Sequence, residues 1–165
     1  MATELDGMSV AIKSVDSFKQ PEMLDQLQAE CAAYTVLMSL QGDCIPILVR
    51  PAPVMLWEGL LDGIVLSLVT GRTLEAMGDD GIASIPRACR QRSLQDLDKI
   101  HKLGVLHGDI ADRNLILHEV EGCPPRIVFV DFGFAETNCS ANDVRFKGEV
   151  YNLCRILQLF GKMLL

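Results

Sequence analysis

Between His107 and Gly133 the chain carries His107-Gly108-Asp109-Ile110-Ala111-Asp112-Arg113-Asn114 and then Asp131-Phe132-Gly133. Two carboxylates, Asp109 and Asp131, together with the amide of Asn114, form the set needed to hold Mg²⁺ on a triphosphate beside an acceptor hydroxyl. Such phosphoryl transfer asks little covalent chemistry of a protein. It asks for positioning, for neutralisation of charge by a metal, and for one group that orients the nucleophile. Asn114 and Asp131 offer hard oxygen ligands suited to Mg²⁺. Asp109 offers a carboxylate that can accept a hydrogen bond from the acceptor hydroxyl. Six fixed residues in this order, allowing for start positions and a loose gap, arise by chance at roughly 10⁻⁵, so the pattern is a signal.

Elements must hold these groups in place. Ser9–Val15 alternates with β-branched residues and predicts a strand that carries Lys13. Pro21 opens a helix in which Leu24, Leu27, Cys31, Tyr34 and Leu37 or Met38 recur at helical spacing, closed by Gly42. Ile45–Val49 and Val54–Trp57 are short strand candidates broken by Pro46, Pro51 and Pro53. Ile64–Val69 is an apolar run of strand length. The turn-rich Thr70-Gly71-Arg72 is the natural joint between two halves, and Gly78-Asp79-Asp80-Gly81 predicts further turns. Beyond it, Ser93 is expected to cap a helix carrying Leu94, Leu97, Ile100 and Leu103, ended by Gly104. Leu115–Leu117 and Ile127–Val130 read as two strands joined through Gly122, Pro124 and Pro125, with the loop on one side of the pair and Asp131 on the other. A last helix is expected over Lys147–Leu165, with Val150, Leu153, Cys154, Leu157, Phe160 and Leu164 on one face. Strands first and helices later give an α+β, two-lobed arrangement.

Composition narrows the possibilities. A chain of 165 residues, 49% hydrophobic, can bury one core. Its net charge of −7 argues against nucleic acid as a partner. The six cysteines include no Cys-x-x-Cys pair, which speaks against zinc. Early acidic residues Glu4 and Asp6, without an apolar stretch, read as no secretory leader, so a cytoplasmic chain with reduced thiols is expected. No apolar run reaches membrane-spanning length.

The residues resemble a family. Val10-Ala11-Ile12-Lys13 is similar to the third-strand motif of protein kinase-like phosphotransferases, His107-x-Asp109-x-x-x-x-Asn114 to their catalytic loop, and Asp131-Phe132-Gly133 to their metal-binding motif. The tract Glu30-Cys31-Ala32-Ala33-Tyr34, with Gln41-Gly42 and Ile45-Pro46, is similar to small kinase-like proteins of fungi. Gly108, where regulated protein kinases carry arginine, is shared with aminoglycoside and choline phosphotransferases. The resemblance implies a single kinase-like domain over residues 1–165, a strand-rich lobe over 1–70 and a partial helical lobe over 71–165. ATP and Mg²⁺ are the implied cofactors. By itself Lys13 would be a solvated strand end. The resemblance gives it the α- and β-phosphates of ATP, with Glu30 as its ionic partner. It also places adenine on backbone groups near Leu66, Leu68 and Val69, with Thr70-Gly71 as the hinge, and makes His107 a packing residue.

Some of the family's parts are not found in the sequence. No Gly-x-Gly-x-x-Gly precedes Lys13, so backbone N–H groups that would cradle the phosphates are not expected. No Ala-Pro-Glu follows Gly133, and the last helix would need a partner to cover its apolar face. Glu149 stands near the place of a family aspartate that braces the catalytic loop, at a spacing too loose to assign it. Two functions remain open. One is ATP-dependent transfer to a hydroxyl acceptor, a protein Ser/Thr or a small molecule. The other is a weak or inactive kinase-like binding module.

Overall fold

The computed structural model describes residues 2–16, 18–56 and 61–160 (the backbone alone at 51–56 and 61). Strands β1 (Ala2–Leu5) and β2 (Met8–Val15) form a hairpin whose two-residue turn, Asp6-Gly7, has φ of 51° and 79°. An Asp-Gly pair with both φ positive matches the right-handed twist of the strands it joins. Helix α1 (Pro21–Val36) begins on proline, whose missing N–H costs nothing at the first helical position. It buries Leu27, Glu30, Ala33 and Tyr34 along one face. The helix stops before the expected Gly42: a short 3₁₀ turn, Met38–Leu40, follows it and leaves Met38 exposed.

The two strand candidates after Gly42 are replaced by one irregular strand, β3 (Leu48–Leu56), with register shifts around Arg50; Trp57 lies outside the described residues. Proline cannot donate to a ladder, and β3 tolerates Pro51 and Pro53 because it is an edge strand, the order being β1-β2-β4-β3. Strand β4 (Leu61–Ser67) lies in the middle of this antiparallel sheet and pairs Ile64 with Lys13.

A second sheet has the order β5-β6-β7, from β5 (Arg72–Thr73), β6 (Leu115–His118) and β7 (Arg126–Phe129). The expected turns at Gly78–Gly81 lie instead within α2 (Leu74–Ser84), which Thr73 caps by accepting the Ala76 N–H at 3.2 Å. The glycine signal survives only as a break, since Gly78 (φ 65°, ψ 178°) interrupts the helical path. Helix α3 (Arg87–Lys102) starts after Pro86, so Ser93 is an interior residue and caps nothing. Buried mid-helix, its hydroxyl is satisfied by the Cys89 carbonyl one turn back, at 3.2 Å. Gly104 does end the helix, at φ 73°. Helix α4 (Arg145–Ile156) begins earlier and ends sooner than expected. Its buried face is Phe146, Glu149 and Leu153, continued by Leu157, while Val150 and Phe160 are exposed and Leu164 is outside the described residues.

The architecture is α+β. One core cluster takes Leu27, Tyr34 and Ile64 from the first sheet and its helix, and Leu97, Leu115 and Phe129 from the second. The Phe129 N–H donates to the Cys44 carbonyl at 2.8 Å and ties β7 to the segment after α1.

Candidate functional site

Lys13 points from β2 toward two carboxylates distant in sequence. Its Nζ lies 2.7 Å from Glu30 Oε2 and 2.6 Å from Asp131 Oδ1. Glu30 comes from the buried face of α1 and is 1% exposed. Its other oxygen accepts the Phe132 N–H at 3.3 Å, so one side chain touches both the lysine and the Asp131-Phe132-Gly133 segment. Burial pushes Glu30 above the ordinary glutamate value despite the lysine beside it. Burial also works against Lys13's charge, but Glu30 and Asp131 overcome it and hold the ammonium above the usual lysine value. Asp131 shows the converse: desolvation opposes its charge, yet the hydrogen bond and charge of Lys13, together with the Gly133 N–H, outweigh it and lower the carboxyl. Two carboxylates thus share one ammonium. A charge of about −1 is left over, which suits a hard cation.

Asp131 itself has φ 62°, a left-handed conformation that aspartate tolerates better than most residues. Phe132 anchors it from below, fully buried, edge-on to Tyr34 at 5.4 Å and tilted against His107 at 4.5 Å.

The loop before β6 is fixed through its backbone. His107 Nε2 donates to the Val130 carbonyl at 3.1 Å, and Nδ1 accepts the Asp109 N–H at 3.3 Å. Those two roles require the neutral imidazole, and burial lowers the His107 pKa in the same direction. Gly108 has φ 81°, and a Cβ built there would lie 2.0 Å from the Phe134 carbonyl oxygen. Only glycine fits that approach. Asp109 Oδ2 accepts from Asn114 Nδ2 at 2.8 Å and from Arg113 Nη2 at 2.6 Å. Asn114 Nδ2 also reaches the Asp109 carbonyl at 2.9 Å, which pins the base candidate to the ligand candidate.

Glu149 is the residue that the sequence left unassigned. Seven per cent exposed on α4, its carboxylate accepts the Gly108 N–H at 2.7 Å, the His107 N–H at 3.3 Å and His101 Nε2–H at 2.8 Å. His101, stacked on Phe146 at 4.2 Å, is therefore part of the loop's support. The one available signal was position: Glu149 falls three residues after Phe146 and four before Leu153, on the apolar stripe.

The expected adenine contacts are mixed. Leu66 is buried and opposite Ala11; the Leu68 N–H is already given to the Ser9 carbonyl at 2.9 Å. Among the described residues no hydrogen bond occupies the backbone of Val69. Ala11 shares the Lys13 face of β2. Ile116, between the buried Leu115 and Leu117, faces the opposite way and approaches Gly71. A cavity of about 410 Å³ shares Leu68 and Val69 with these expected contacts and is otherwise walled by Ile45, Ile47, Val120 and Val128. None of Lys13, Asp109, Asn114 or Asp131 reaches it, and its Asp43 and Arg126 are paired with each other. The chemistry belongs with the charged cluster.

No protein-family model matches the chain. KEOPS complex subunit Bud32 of Pyrococcus abyssi is 31% identical to it over 78 residues, 44% of this chain and 31% of that protein. The match supports the kinase-like superfamily and nothing narrower. This chain spans less than a third of the relative's length. No helix among the described residues is long and apolar enough to cross a membrane.

Proposed function

We propose that the chain is a kinase-like phosphotransferase, two-lobed about Thr70-Gly71, that moves the γ-phosphate of ATP to a hydroxyl acceptor, with protein Ser/Thr the expected class. The observation that carries this is the convergence of Lys13, Glu30 and Asp131 from three separate elements beside a loop that presents Asp109 and Asn114. The partial likeness to Bud32 points the same way.

Adenine would lie between Ala11 and Ile116 with its edge on the Val69 backbone. Lys13, held by Glu30, would contact the α- and β-phosphates. Asn114 and Asp131 would hold Mg²⁺, whose chemistry is to neutralise charge on the phosphate oxygens. Among the described residues no cage of three or more His, Cys, Asp or Glu exists, so phosphate oxygens would complete the ion's shell, as is usual for Mg²⁺. Arg113 and Asn114 occupy Asp109 Oδ2, so Oδ1 is the oxygen that would orient the acceptor hydroxyl and take its proton as the new O–P bond forms and ADP leaves.

A second reading, a binding module in a protein assembly within the cytoplasm, is favoured by the exposed Val144, Tyr151 and Phe160 on and beside α4, which a partner could cover. Bud32's place in a named complex fits this.

Substitution separates the two. Asp109→Asn is expected to lower transfer by about 10²–10⁴-fold while ATP still raises the melting midpoint. At a hundredfold excess over Kd that rise is about 2.7 kcal/mol, or about 5–10 °C. Asp131→Asn should lose the Mg²⁺-dependent part. Equal transfer by wild type and Asp109→Asn would sink the catalytic reading.

A further inference from the structure

From His107 to Asn114 the loop holds a single Arg or Lys, Arg113, in a chain of net charge −7. Its guanidinium rests on the oxygen of Asp109 that faces Asn114, 2.6 Å away, and its side chain is 54% exposed. Among the described residues it makes no other side-chain hydrogen bond, and a guanidinium has five N–H groups. The backbone beneath it is fixed: the Arg113 N–H donates to Asp112 Oδ1 at 3.0 Å and the Asn114 N–H to the Ala111 carbonyl at 3.0 Å. The free edge of a planar fork thus stands exposed beside the carboxylate that would receive the acceptor hydroxyl.

Charge decides what that edge is for. An acceptor carrying a carboxylate or phosphate near its hydroxyl would meet Asp109, Asp112 and Asp131 and be repelled by all of them. A neutral or basic acceptor would need no cation there. Arginine matches the geometry of carboxylate and phosphate with two parallel N–H donors, and it can do so while one Nη remains on Asp109. We infer that Arg113 is a specificity-determining residue that selects acceptors bearing an anionic group beside the hydroxyl. This rests on the phosphotransferase reading above and names its acceptor class.

Three probe pairs test it: a serine peptide flanked by glutamates against one flanked by lysines, the glutamate peptide against its glutamine analogue, and glycerol 3-phosphate against glycerol. Binding of labelled peptides with Mg²⁺ and a non-hydrolysable ATP analogue is followed by fluorescence anisotropy, apart from turnover, and transfer is read as kcat/KM. The wild type should favour the anionic member by about tenfold or more. Arg113→Gln should bring the ratio near one, and Arg113→Glu should invert the peptide preference. Selection among peptides alone would mark a protein acceptor, and selection of glycerol 3-phosphate alone a small one. A wild type that binds and phosphorylates both members alike, or a preference that Arg113→Glu leaves in place, overturns the inference without touching the phosphotransferase reading. Absence of transfer to every probe, with Asp109→Asn indistinguishable from wild type, counts against that reading, and the binding ratios still decide the role of Arg113.

Discussion

The two sides of the candidate site are held in different ways. On the catalytic-loop side, a buried carboxylate from α4 grips the backbone N–H groups of His107 and Gly108, and a buried histidine on α3 supports that carboxylate. On the Lys13 side, position is set by ion pairs between side chains, with the lysine 32% and Asp131 47% exposed. The first arrangement belongs to the fold, because removing it orphans buried backbone groups. The second can be exchanged for a ligand, because Glu30 keeps the Phe132 N–H when Lys13 shifts. The loop is built rigid, and the cation is free to re-pair.

Breaking the loop side should have the largest effect on stability. Glu149→Ala leaves His101 and two backbone N–H groups without a partner and is expected to cost about 3 kcal/mol or more in urea unfolding. Lys13→Met should cost less than half as much yet remove the ATP-dependent thermal shift. If Lys13→Met were the more destabilising change, the contrast between the two sides would fail.

A smaller effect sharpens the same contrast. His107 is held neutral by its two hydrogen bonds, and burial lowers its folded pKa below the unfolded value of about 6.5. The sign follows: its contribution is fully present above that value and is lost as pH falls through the folded pKa. Between pH 7.5 and 5.5 the wild type should lose stability that His107→Asn does not lose. Parallel slopes in the two proteins would show that the histidine takes up its proton alike in the folded and unfolded states. Smallest of all, the Tyr34 hydroxyl is buried and has no hydrogen-bond partner among the described residues. Tyr34→Phe should be neutral or stabilise by up to about 1 kcal/mol. A loss larger than that would reveal an enclosed water as its partner.

Asp109, Asn114 and Asp131 were legible as a motif, whereas Lys13 and Glu30 were legible only through the family resemblance; in the structure Lys13 Nζ contacts both Glu30 and Asp131. The signals that misled are those where tertiary context decides. Ser93 looks like a cap but satisfies itself against the preceding turn. Gly78 and Gly81 look like a turn, yet only Gly78 departs from the helix. Pro51 and Pro53 look like strand breakers, and the edge position of β3 absorbs them. Glu149 was hardest to read, since a glutamate on an amphipathic helix carries no mark of the backbone it grips 41 residues away.

The close approach of Gly108 to the Phe134 carbonyl has a consequence for descent. An arginine at 108 is the usual means by which a kinase senses a phosphate on its own activation segment, and here its first carbon would lie 2.0 Å from a carbonyl oxygen, on a backbone at φ 81°. No single substitution installs that sensor, because the Phe134 backbone would have to move first. If the chain is the phosphotransferase proposed above, that route of switching by phosphate is closed to it by the backbone itself.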